Sequence, residues 1–132
     1  MKITIITPTM NSEKTILDTL DSVSVQTYKN IEHIIIDGGS KDSTLQILRS
    51  YKRKKLKIYQ KKTNIYQAIN FGIKKSTGKV IGILGSDDIY QNENVIKTVD
   101  SYITDNKIIK QNLLGSLGEK SIKNIPDFSD LP

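Results

Sequence analysis

Short β-branched runs alternate with amphipathic segments over the first hundred residues, and no other feature limits the possible folds as tightly. The run "KITIIT" (2–7) is ended by Pro8, "IEHIIID" (31–37) by Gly-Gly-Ser and "VIGILG" (80–85) by a pair of acids, and "LKIYQ" (56–60) is a further strand candidate. Between them, "SEKTILDTLDSVSVQT" (12–27) puts Ile16, Leu17, Leu20 and Val23 on one helical face, with Asn11 or Ser12 as cap. "DSTLQILRSY" (42–51) sets Leu45, Ile47 and Leu48 at helical spacing behind Ser40 or Asp42. "IYQAINFGIKKS" (65–76) turns Ile65, Ala68, Ile69 and Ile73 inward, and "NENVIKTVDSYI" (92–103) gives a last helix. Strands alternating with helices predict an α/β fold with a parallel-rich, doubly wound sheet. The domain expected is residues 1–104. Residues 105–132, where turn formers mix with scattered apolar side chains, are expected as an irregular tail.

Composition removes several function classes. The 132 residues suit one domain with a real core, and no cysteine is present, so a disulfide framework, a thiolate metal site and a cysteine nucleophile are excluded. The one histidine, His33, is expected on a polar face and is given no role. No apolar run approaches the roughly 20 residues a membrane span needs, and "MKITIITPTM" is too short and polar for a signal peptide. A cytoplasmic location is the expectation, with peripheral contact at the inner face of the membrane as its extension. That extension rests on charge. The net charge is +6, and residues 51–62, "YKRKKLKIYQKK", hold seven basic residues and no acid. Residues 52–62 read either as a patch for phosphate or an anionic membrane surface, or as a solvated helix end and loop. Only Tyr51 and Tyr59 interleave with the charge, so nucleic acid is not an expected partner.

The predicted register locates the chemistry. In an open α/β sheet, ligands bind outside the carboxyl ends of the strands. There the sequence puts "TPT" (7–9), "DGGSKDS" (37–43) and "SDD" (86–88), three polar segments expected on one edge. Asp87 and Asp88 are adjacent and repel each other, which either a divalent cation or full solvation at a turn tip can offset. Mg²⁺ in particular is often held by one or two carboxylates plus substrate phosphates. Neither a G-x-G-x-x-G pattern nor a P-loop lysine occurs.

"ITIITPTMNSEKTILDTLDSVSVQTYKNIEHIIIDGGSKDST", followed by "AINFGIKKSTGKVIGILGSDDIY", resembles the nucleotide-binding half of a family 2 glycosyltransferase with the GT-A fold, over about residues 1–100. The resemblance implies a nucleotide-diphospho-sugar donor and Mn²⁺ or Mg²⁺. It implies that Pro8 and Thr9 line the base pocket, Asp37 contacts the nucleoside, Asp87 faces the ribose and Asp88 ligates the metal. This chain departs from the family pattern at four places: Met10 replaces an aromatic, Gly38 a second acid, Lys62 and Thr63 an acid before the third helix, and Gln67 a later Asp. The family's acceptor-side half, with its base, normally follows well beyond the acidic pair, and this chain ends about 44 residues after Asp88. The expectation is thus a fold incomplete at its C-terminus. It would transfer sugar to an acceptor of cell-surface polysaccharide or glycolipid type, be inactive through truncation, or be completed by self-association or a partner chain. In "DFSDLP", Asp127 and Asp130 offer carboxyl groups as base and nothing more. The alternative is a non-catalytic nucleotide-binding or scaffold module.

Overall fold

Seven consecutive buried residues, Ile3–Thr9, form strand β1 at the centre of the sheet in the computed structural model, which describes residues 1–105. There follow α1 (Ile16–Ser24), β2 (Ile31–Asp37), α2 (Thr44–Ser50), β3 (Leu56–Gln60), α3 (Ile65–Lys75), β4 (Val80–Ile83) and α4 (Val95–Asp105). The strand order is β3-β2-β1-β4 and every pairing is parallel. β1 meets β2 from Ile3↔Ile31 to Thr9↔Asp37, and meets β4 from Ile3↔Val80 to Ile6↔Ile83. The doubly wound α/β sheet is therefore present, and its order reverses between β1 and β4.

Two faces are covered. Ile6, Ile34, Ile36 and Ala68 make one core under α3. On the opposite face Ile16, Leu20, Ile35 and Leu48 join α1 and α2 to the sheet, while Ile3, Ile5, Val23, Val80, Ile96 and Ile103 extend that layer to α4. Gly72 lets α3 sit close, because a Cβ there would stand 2.7 Å from Ile6 Cγ2 and 2.9 Å from Ile36 Cδ1.

Several local expectations are corrected. Pro8 does not end β1; the strand runs to Thr9. Ile6 turns its carbonyl toward β4, accepting from Leu84 N–H at 2.9 Å, and Thr9 turns its own toward β2, accepting from Gly38 at 2.9 Å. By that alternation Pro8 faces the β4 side beyond Ile83, where no ladder bond is missed. α1 begins at Ile16 rather than Ser12, and neither Asn11 nor Ser12 caps it with a side chain. Leu17 is exposed, as is Ile65, while Ala68 and Gly72 are the residues α3 buries. His33 is buried rather than on a polar face, because β2 is covered on both sides and its polar residues have nowhere wet to point. The expected tail beyond Asp105, with Asp127 and Asp130, lies outside the described residues.

Candidate functional site

The ends of β1, β2 and β4 are joined by hydrogen bonds that cross between loops. Asn11, after β1, holds a left-handed backbone (φ 50°), which asparagine tolerates better than most residues. Its N–H donates to Ser40 Oγ at 2.8 Å, and its Oδ1 accepts from Lys41 N–H at 2.8 Å. Asn11 is thus a latch between two loops, which is where its side chain goes instead of capping α1. Ser12 Oγ lies 2.6 Å from Ser86 Oγ, tying the first loop to the one carrying the acids.

Asp37 is fully buried. Its Oδ2 accepts from Gly39 N–H at 3.0 Å and Ser40 N–H at 2.8 Å, and its Oδ1 accepts from Ser40 Oγ at 2.5 Å. The carboxylate folds its own loop, with Gly39 supplying the positive φ (114°) that the turn requires. Gly38 leaves room for the loop after β3: a Cβ there would lie 3.2 Å from the Thr63 carbonyl.

Pro8, Thr9, Met10, Gly38, Asn64 and Ser86 are among the residues lining a cavity of about 220 Å³ at this edge. Of these residues, Thr9 keeps its Oγ1 buried, with no hydrogen-bond partner among the described residues. A buried hydroxyl left without a partner needs an explanation, and a ligand group reaching it from the adjoining cavity is one. A second, more polar cavity of about 550 Å³ adjoins Asn11, Ser12, Thr15, Asp42, Ser86 and Asp87. Ser86 and Met10 line both.

Asp87 and Asp88 are exposed, on a turn closed by Asp88 N–H donating to Gly85 O at 3.1 Å. A Cβ on Gly85 would meet Asp88 Oδ2 at 2.8 Å and Asp87 Oδ1 at 3.2 Å, so the two carboxylates converge over that glycine. Neither accepts a hydrogen bond from a described side chain or backbone group. Among the described residues no three His, Cys, Asp or Glu side chains gather to cage a metal. Two hard oxygen donors, without partners among the described residues, fit Mg²⁺ or Mn²⁺ only where phosphates and water complete the coordination. Asp88 lines neither cavity and stands at the rim.

The sequence reading missed the residues that support this turn. Thr15 Oγ1 donates to Ser86 O at 2.9 Å, and Thr19 Oγ1 has Asp88 O at 2.6 Å and Ser86 O at 3.0 Å. Their spacing of four on a helix was the available signal. The basic run is also resolved into parts. Lys52–Lys55 precede β3 and Lys61–Lys62 follow it, about 20 Å away by strand rise. Arg53 pairs with Asp21 at 3.3 Å and Lys57 with the buried Glu32, so the run does not present one continuous patch. Among the described residues no helix is long and apolar enough to cross a membrane.

A family model described as glycosyl transferase family 2 matches residues 4–125. The chain belongs to that family. An uncharacterised glycosyltransferase of Rickettsia prowazekii is 40% identical over 88 residues, covering 67% of this chain and 28% of that protein. The poly(ribitol-phosphate) β-N-acetylglucosaminyltransferase TarS of Staphylococcus aureus is 35% identical over 109 residues, covering 78% of this chain and 19% of TarS. A solved structure of S. aureus TarS residues 1–349 superposes with a TM-score of 0.75 at 32% identity, over 81% of this chain and 33% of that one. A Pyrobaculum calidifontis mannosyltransferase, solved with GDP-Man and Mn²⁺, shares the fold at a TM-score of 0.72 and 21% identity. These neighbours make the sheet a GT-A glycosyltransferase fold. This family member spans less than a third of the length of the curated relatives named here.

Proposed function

We propose that this chain binds a nucleoside-diphospho-sugar at the carboxyl edge of its sheet and serves the donor side of a sugar transfer. The observation that carries this is the join at Ser86. Ser86, together with Met10, lines both the cavity walled by Pro8 and Thr9 and the cavity reached by Asp87, and it stands directly ahead of the acidic pair. In this reading Pro8 and Thr9 flank the base, and the orphan Thr9 hydroxyl finds its partner on the nucleoside. Asp37 serves the nucleoside side by holding the Gly38–Ser40 loop in shape; direct contact with the nucleoside requires Ser40 to turn away. Asp87 faces the ribose and Asp88 holds the Mg²⁺ or Mn²⁺. Such an ion, when bound, stabilises the charge that develops on a diphosphate leaving group.

The structures of S. aureus TarS with UDP and with UDP-GlcNAc support this donor class. Transfer further needs a carboxylate to take the acceptor hydroxyl proton. The name of TarS carries a poly(ribitol-phosphate), and a polymeric acceptor is the class proposed here. Calorimetric titration of the chain with UDP and with GDP, each with and without Mn²⁺, tests the donor reading. One nucleotide should bind, Mn²⁺ should tighten it several-fold, and Asp88→Asn should remove that gain while leaving the fold intact. No binding of either nucleotide, or an unchanged gain in Asp88→Asn, contradicts it.

A further inference from the structure

Helix α1 carries a polar stripe that is used up, residue by residue, on the segment holding the acids. Thr15 Oγ1 donates to Ser86 O at 2.9 Å, and Thr19 Oγ1 has Asp88 O at 2.6 Å as its nearest acceptor. Ser22 Oγ accepts from Tyr90 N–H at 3.2 Å, and Gln26, just past the helix, donates through Nε2 to Asn92 O at 2.7 Å. Positions 15, 19, 22 and 26 follow the helical period, while 86, 88, 90 and 92 are every second residue of the partner segment. The stripe is buried at two of its four positions: Thr19 and Gln26 have 0% and 1% of their surface exposed.

A helical threonine ordinarily turns its hydroxyl back on the carbonyl four residues before it. In Thr19 that contact is long, 3.5 Å to Thr15 O, and its single proton is directed to the loop. We propose that Thr19 is a positioning residue for the metal-binding turn, fixing through the Asp88 carbonyl the direction from which the Asp88 carboxylate meets the cation. The proposal rests on the donor-binding reading above. Without the bond, Asp88 keeps its carboxylate but the turn loses its register on α1, and the two acids no longer converge over Gly85. Thr15 is the adjacent tie, holding the Ser86 carbonyl in the same way.

The test compares Thr19→Val, which keeps shape and removes the donor, with Thr19→Ser, which keeps the donor. UDP is the probe, or GDP if that is the base bound, titrated with and without Mn²⁺. Thr19→Val should lose most of the several-fold affinity gained from Mn²⁺, with metal-free nucleotide affinity unchanged. Thr19→Ser should restore the gain. If Thr19→Val keeps the full Mn²⁺ gain, the positioning role is wrong while the metal site stands. If the wild-type chain shows no Mn²⁺ gain, the metal reading itself is wrong and this role falls with it. Should Thr19→Val fail to fold, Thr15→Val puts the same question to the Ser86 carbonyl, with the same loss expected and an unchanged gain overturning the role.

Discussion

Thr9 and Asp37 end neighbouring strands in register, are both buried, and stand in opposite hydrogen-bonding states. Asp37 spends both oxygens on its own loop, whereas Thr9 Oγ1 has none of its bonds made. A buried hydroxyl without a partner costs on the order of 1–3 kcal/mol, and replacing it by an apolar group of the same shape is near neutral or stabilising. Thr9→Val should therefore leave thermal stability unchanged or raised while weakening nucleotide binding several-fold. Melting curves and titrations on the same sample check both halves; a fall in stability with unchanged affinity would show that Thr9 is only structural. Asp37→Ala should act in the other direction, loosening the Gly38–Ser40 turn and so costing stability as well as binding.

The strand at 31–37 was legible because it is a bounded β-branched run, and the convergence of three polar loops followed from the parallel register. Other features needed partners far away in sequence. Whether Pro8 ends β1 depends on where β4 stops, at Ile83. Whether Thr19 points to a loop depends on residues 86–88, and Asn11 finds Lys41 thirty residues on. The polar residues of β2 were misjudged for a related reason: alternation marks a wet face only where one face is wet. Glu32 is buried, yet accepts from Thr4 Oγ1 at 2.8 Å, Thr77 N–H at 2.8 Å and Lys57, pinning the turn before β4. Burial pushes its pKa up, but the bonds from Lys57, Thr77 and Thr4 outweigh that and hold it at about 2. His33 bonds Thr7 through Nε2 at 2.8 Å, and burial, with the nearby Lys54 charge, lowers its pKa to about 3. Both shifts make the unfolded chain bind more protons in acid, so stability falls with pH, in two windows. The His33 contribution is lost from about pH 6.5 downward, the Glu32 contribution only below about 4.5. Urea melts between pH 7 and 5 should show declining stability in the wild type and a flatter profile in His33→Gln. An equal decline in that variant would assign the acid sensitivity elsewhere.

Taken whole, the molecule places its acids where its own strand order reverses. β1 feeds β2 on one side and lies against β4 on the other, and Ser86 and the exposed acidic pair follow β4 at that edge. The net charge of +6 favours approach of an anionic donor from any direction. In the proposed reading, specific retention then falls to few groups: the Pro8–Thr9 wall, the loop shaped by Asp37, and a cation held at Asp88. The most direct measurement is a crystal of the chain grown or soaked with UDP or GDP and Mn²⁺, with data collected for the anomalous signal of manganese. A single strong peak within coordination distance of an Asp88 carboxylate oxygen, adjoining a diphosphate whose nucleoside enters the Thr9 cavity, is the predicted result. A nucleotide bound away from the β1 and β4 ends, or manganese seated without Asp88, would contradict it.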